Sequence, residues 1–249
     1  MNDNAETVCA ACPSDRILYI DDDVVVVNKL PGEVCSFVDK DAPGKAPAPY
    51  LPEVFANAVA QKAPDGHAEF LECVHRIDRP VSGCAVMARN KNALANVSGQ
   101  FTNHTTASKK YWAVVEGVLP VSETPVLLED YLVFDTKKQK TYIVTEKTRK
   151  AKKAQLYWRC AGAGDRYSFI EVELLTGRTH QIRAQLAHAG LHIKGDVKYG
   201  ARRADTLPGI RLHAREVSFV TPCKKQLVKV VSPLPSVDPL WTACEKCMG

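Results

Sequence analysis

The run Ile170-Glu171-Val172-Glu173-Leu174-Leu175-Thr176-Gly177-Arg178-Thr179-His180-Gln181-Ile182-Arg183, continuing as Ala184-Gln185-Leu186-Ala187-His188-Ala189-Gly190, changes its periodicity in the middle. Ile170, Val172 and Leu174 alternate with Glu171 and Glu173, which is the pattern of a strand with one buried face. Gly177 ends that pattern. The spacing beyond it predicts a short helix with Thr179 as N-cap and Gly190 as C-cap. Ile182 and Leu186 lie four residues apart and point to the core, which leaves His180 and Arg183 on another face. Arg183 can therefore reach into a cleft.

Working outward, a second chemistry-bearing stretch lies about a hundred residues upstream: His75-Arg76-Ile77-Asp78-Arg79-Pro80-Val81-Ser82-Gly83. Here a carboxylate sits between two guanidinium groups in a segment that reads as a loop between strands. Positive charge alongside Asp78 favours its carboxylate form, which makes it available as a nucleophile or base. The arginines suit an anionic substrate. Around this loop, residues 24–27 form a β-branched run of the buried-strand kind, and residues 84–88 and 111–115 read as further strands. Residues 39–52 read as a proline-rich loop that cannot join the central sheet. Residues 92–104 carry Leu94, Val97 and Phe101 at i, i+3 and i+7, an amphipathic helix.

A chain of 249 residues, 45% hydrophobic, can bury one sizeable core. Its net charge of +5 favours a polyanionic partner without identifying one. The first twelve residues lack the apolar core of a signal peptide, and no run approaches the ~20 apolar residues of a membrane span, so a cytoplasmic protein is expected. Nine cysteines, an odd number, then read as reduced thiols. Cys9-x-x-Cys12 and Cys244-x-x-Cys247 are metal-type pairs at opposite ends of the chain, and could hold one zinc ion if the ends met. Their separation is unlike a zinc ribbon, and unpaired tail thiols are the ordinary reading. No metal is assigned. With no phosphate-binding loop and no dinucleotide fingerprint, no cofactor is expected either.

Four blocks occur in a fixed order: Asn28-Lys29-Leu30-Pro31-Gly32, the Asp78 stretch, Lys110-Tyr111-Trp112-Ala113-Val114-Val115-Glu116-Gly117, and the Thr176 to Arg183 run, with Arg211-Leu212-His213-Ala214 beyond. Together they resemble the RluA-type family of RNA pseudouridine synthases, from near Ile17 to near Pro222. The resemblance implies an α+β fold, a mixed and largely antiparallel sheet flanked by helices and cut by an RNA-binding cleft. It implies one catalytic domain over 17–236, with tails at 1–16 and 237–249 and no separate amino-terminal RNA-binding domain. The implied activity isomerises a uridine of structured RNA, an rRNA or tRNA stem-loop, by flipping the base and using an aspartate. The chain is expected to act as a monomer.

Residue by residue, Asp78 matches the catalytic aspartate and Arg183 its basic partner. Tyr111 matches the tyrosine stacked on the target base, Leu212 the apolar residue on its other side, and Arg76 the arginine that fills the gap left by flipping. His75 and Ser82 are expected to shape the loop. Lys150, Lys152 and Lys153, within a basic cluster between two blocks, are expected to grip phosphates, although charge runs are often only solvated faces. Two departures stand out: the order Lys29-Leu30-Pro31-Gly32, where the family often has Lys-Pro-x-Gly, and Val81 where a threonine often precedes the serine. Neither touches a reactive group. The competing reading, an RNA-binding protein that has lost the chemistry, predicts a damaged aspartate or arginine, and both are intact. A glycoside-type hydrolase would call for a second carboxylate near Asp78, and none is evident in the sequence there.

Overall fold

The structure, a computed structural model, describes residues 12–37, 47–63, 66, 69–103 and 106–248. In chain order the strands are β1 (Ile17–Ile20), β2 (Val24–Lys29), β3 (Glu72–Cys73), β4 (Ser82–Ala88), β5 (Ser108–Glu116), β6 (Val126–Asp135), β7 (Lys140–Val144), β8 (Lys152–Ala163), β9 (Tyr167–Leu174), β10 (Leu212–Val220) and β11 (Leu227–Val231). The helices are α1 (Leu51–Lys62), α2 (Lys91–Asn103), α3 (Gln181–His188) and α4 (Pro239–Met248). The strands form one sheet in the order β1-β2-β4-β10-β5-β9-β8-β6-β7, with β3 beside β4 and β11 beside β10. Every pairing is antiparallel except β4 with β10, which is parallel. This is the mixed, largely antiparallel α+β sheet that the resemblance implies.

Helices cover both faces, which explains why β2 and β4 have no exposed side. Val25 and Val27 of β2, Tyr111 and Ala113 of β5, and Leu212 of β10 share one core with Leu51 and Phe55 of α1 and Ile182 and Leu186 of α3. Val24 and Val26 face the other way and pack with Ala93, Val97 and Phe101 of α2. Alternate side chains thus enter opposite cores, and the Val24 to Val27 run is completely buried. In β9, Ile170, Val172 and Leu174 are buried while Glu171 and Glu173 are not, as the alternation predicts.

Several local expectations need correction. Leu51 and Pro52 belong to α1 rather than to a loop, because a proline in a helix's first turn forfeits no needed hydrogen bond; residues 39–46 of that segment lie outside the described residues. Thr179 does not cap α3. His180 does, in the left-handed conformation at φ 53° and without a side-chain cap bond. Residues in both of the segments expected as tails pack into the fold. Arg16 is buried and bonds both oxygens of Glu33 at 2.7 Å, and α4 sets Trp241 and Cys244, at 1% and 0% exposure, against Trp112, Val114 and Phe169. The apolar positions of 239–248 are few but large, so burial rather than propensity holds that helix. With Cys244 committed to this core and Cys12 and Cys247 exposed, the three thiols do not gather; among the described residues no group of three metal-ligating side chains exists, and Cys9 lies outside them. No helix among the described residues is long and apolar enough to cross a membrane.

Candidate active site

The loop between β3 and β4 carries Asp78 and is pinned from several sides. Lys29 is completely buried, yet its ammonium donates to three carbonyls, Val81 O at 2.6 Å, Leu30 O at 3.0 Å and Arg79 O at 3.2 Å. Burial pushes its pKa down to about 8, and the gathered carbonyl dipoles are what make a charge tolerable there. The Gly32 N–H donates to Arg79 O at 2.7 Å and the Ile210 N–H to Pro80 O at 3.1 Å. The Lys29-Leu30-Pro31-Gly32 turn therefore forms the floor of the Asp78 loop. His75 is held inward, its Nε2 accepting the Val86 N–H at 3.2 Å, and burial takes its pKa down to about 3, so the ring is neutral. Ser82 Oγ bonds His213 Nδ1 at 2.9 Å within the core. At Gly83, φ is +111°, and a Cβ would overlap the Ala214 carbonyl; only glycine lets β4 come that close to β10.

Opposite stands α3. Arg183 Nη1 donates to Asp78 Oδ2 at 3.2 Å, while its Nε and Nη2 grip Asp196 Oδ2 and Oδ1 at 2.7 and 2.8 Å. Burial works against the Arg183 cation, but the Asp196 bonds and the Asp78 charge outweigh it, and its pKa is raised. Only the Asp78 bond reaches into the cleft. The bidentate grip of Asp196 fixes the plane of the guanidinium so that this third nitrogen is aimed. Tyr199 completes the mount: its ring lies 4.8 Å from Arg183 Cζ, and its hydroxyl contacts His180 Nδ1 at 2.9 Å while accepting the Thr141 N–H at 2.8 Å. Burial lowers the pKa of His180 to about 4. The neutral tautomer that satisfies this network accepts the Tyr199 proton at Nδ1 and turns Nε2–H toward Asp78 Oδ2, 3.9 Å away.

A cavity of about 350 Å³ opens over this pair, at the small end of ligand clefts, which span about 300–1,000 Å³. Asp78, Arg183, Tyr111, Leu212 and Arg76 all line it. Tyr111 and Leu212 project from one face of neighbouring strands, Tyr111 opposite Ala214 and Leu212 opposite Ala113, and both are buried at 6% and 2% exposure. Lys150, Lys152 and Lys153 do not line it. They lie on the turn into β8 and its first residues, where Lys153 pairs with Glu129 at 3.0 Å on an exposed surface. Arg178, a cavity-lining residue, links them to the cleft, its Nε donating to Lys153 O at 3.0 Å.

Sequence reading missed Asp196, Tyr199 and the floor role of Lys29. Asp196 and Tyr199 sit in Gly195-Asp196-Val197-Lys198-Tyr199-Gly200, where both glycines have positive φ. That glycine-bracketed acid was the available signal.

The family model described as RNA pseudouridylate synthase matches residues 23–188. An uncharacterised RNA pseudouridine synthase of Bacillus subtilis is 32% identical over 219 residues, covering 88% of this chain and 69% of its own length. The ribosomal large subunit pseudouridine synthase C of Vibrio vulnificus is 29% identical, over 88% and 66%. Among solved structures, the human RNA pseudouridylate synthase domain containing 4 superposes with a TM-score of 0.69 at 21% identity, covering 94% of this chain and 93% of that one, and so shares the fold. The match over two thirds of the chain, on the sheet and the cleft just described, makes this chain a member of the RluA-type family of RNA pseudouridine synthases, enzymes that isomerise uridine within RNA.

Proposed function

We propose that this chain flips one uridine out of a structured RNA, rRNA or tRNA, into the cavity and isomerises it with Asp78 as the catalytic carboxylate. The observation that carries the reading is the Asp78–Arg183 pair at 3.2 Å, set in the cavity wall beside Tyr111 and Leu212. The reaction breaks the bond from C1′ to N1 of uracil, turns the base, joins C1′ to C5, removes the C5 proton and places a proton on N1, so that no atom is gained or lost. It is redox-neutral. It needs a carboxylate at the sugar–base junction, and attack at C1′, addition to C6 and removal of the C2′ proton are all within the chemistry of a carboxylate.

Arg183 counters the charge of Asp78 and orients it. Tyr111 and Leu212 wall the uracil, a surface against which a ring is held by stacking yet can turn. Arg76 is exposed at the mouth, and a planar cation there offsets part of the few kcal/mol that flipping costs. Lys150, Lys152 and Lys153 hold phosphates beyond the cleft, next to Arg178.

The test is Asp78→Asn, which keeps the shape and removes the charge. The expected outcome is no pseudouridine in the cognate RNA with fold and RNA affinity nearly intact. Turnover near that of the unaltered protein would refute the assignment.

A further inference from the structure

We propose that Lys109 is a binding residue for a backbone phosphate next to the flipped uridine, a role that rests on the cavity being the nucleotide site. Lys109 is 8% exposed and lines the cavity, as do Val74, His75, Phe101 and Thr102. Its ammonium lies 5.2 Å from the centre of the Phe101 ring, and a Cβ built on Gly177 would sit 3.3 Å from Nζ. Among the described residues it makes no hydrogen bond and no ion pair.

This sets it apart from the other enclosed lysines. Lys29 gathers three carbonyls, and Lys194 pairs with Asp205 at 2.6 Å. Burial without a counter-charge lowers the pKa of Lys109 to about 8, whereas an enclosed cation is normally paired. Its neighbour His75 is neutral, and the one carboxylate among the cavity-lining residues, Asp78, is bonded by Arg183. What the site lacks, an RNA strand carries.

Position selects the phosphate rather than the base. Lys109 and Tyr111 are two residues apart on β5 and face the same way, which separates them by about 7 Å along the strand. Uracil held at Tyr111 therefore leaves Lys109 level with the strand's own backbone. Gly177 keeps the approach open, since any side chain there would crowd the ammonium.

The experiment uses a uridine-containing RNA stem-loop in which each loop phosphate in turn is replaced by an uncharged methylphosphonate. Binding is measured for the unaltered protein and for Lys109→Met, which keeps the packed stem and removes the charge. One linkage beside the uridine is expected to weaken binding about tenfold in the unaltered protein, the range of a hydrogen bond between charged groups, and to cause no further loss in Lys109→Met. Lys109→Arg should retain that sensitivity, and circular dichroism melting certifies each fold; Lys109→Gln replaces the methionine variant if that one is unstable. Equal losses in both proteins at every linkage would overturn the proposal. Pseudouridine formation, read separately, tests the nucleotide-site reading, and its failure leaves the phosphate coupling measurable.

Discussion

Asp196→Asn isolates the mount of Arg183 from the chemistry. Asparagine has nearly the shape of aspartate, but one of its two side-chain acceptors becomes an NH2 group. Arg183 presents Nε and Nη2 to Asp196 at 2.7 and 2.8 Å, so one of these donors would face another donor whichever way the amide turned. Both residues are buried, at 5% and 2% exposure. Breaking a buried pair outright costs about 3–5 kcal/mol; Asp78 at 3.2 Å still neutralises part of the charge, and we expect about 2 kcal/mol, the range of one charge-assisted bond. For a chain of this size that lowers Tm by about 4–8 °C. The same change frees Arg183 to rotate onto Asp78 and lock the carboxylate away from substrate, so kcat should fall by about a hundredfold. Adding Arg183→Met to Asp196→Asn should cost little more stability than the single change, because the stranded cation is then gone. Thermal melts and single-turnover pseudouridine assays suffice. A Tm shift below about 1 °C, with kcat within twofold, would refute the claim that Asp196 aims the arginine.

Arg183→Lys should also cut turnover severely, since a single ammonium cannot bridge two carboxylates as the three guanidinium nitrogens do. Activity within about twofold would mean that less than ~0.5 kcal/mol depends on the planar fork. Neutralising Lys150, Lys152 and Lys153 together should weaken cognate and unrelated RNA alike, and reduce the salt slope by about 0.7 per lost contact on single-stranded segments; an unchanged slope makes the cluster a solvated face. Trp241→Ala should destabilise by about 3–5 kcal/mol in a denaturant melt, and a loss under about 1 kcal/mol would show that α4 is only appended to the sheet.

What could be read from the sequence was what is local. The alternation in β9 and the i, i+3, i+7 spacing of Leu94, Val97 and Phe101 follow from strand and helix periods, and they hold in the structure. The placing of Arg183 opposite Asp78 is likewise periodic on its own side, because Ile182 and Leu186 commit the other face of α3 to the core. What escaped depends on tertiary context. Nothing near Asp196 in the chain says that it would meet a guanidinium thirteen residues upstream. His180 takes a conformation that a β-bearing residue adopts only under constraint, so the propensity rule favoured Thr179. Nothing beside Lys29 in the chain announces its burial, which comes from the loop fifty residues on folding over it. The basic cluster was noticed for its charge, and charge does not tell which wall of the cleft it will occupy.

The parallel seam between β4 and β10 has a consequence for how the protein comes to be made. Ser82 and His213 meet there across 131 residues, a long-range pairing whose loop-closure entropy is compensated only late in folding. During synthesis the stretch holding Asp78 leaves the ribosome well before the strand that seats it. Until β10 arrives, the Ser82–Gly83 end of β4 has no strand on one side, an unpaired end of the kind at which chains aggregate. A ribosome paused between the two strands would thus hold an aggregation-prone, inactive chain, and the Gly83–Ala214 closure is the event that makes an RNA-modifying enzyme of it.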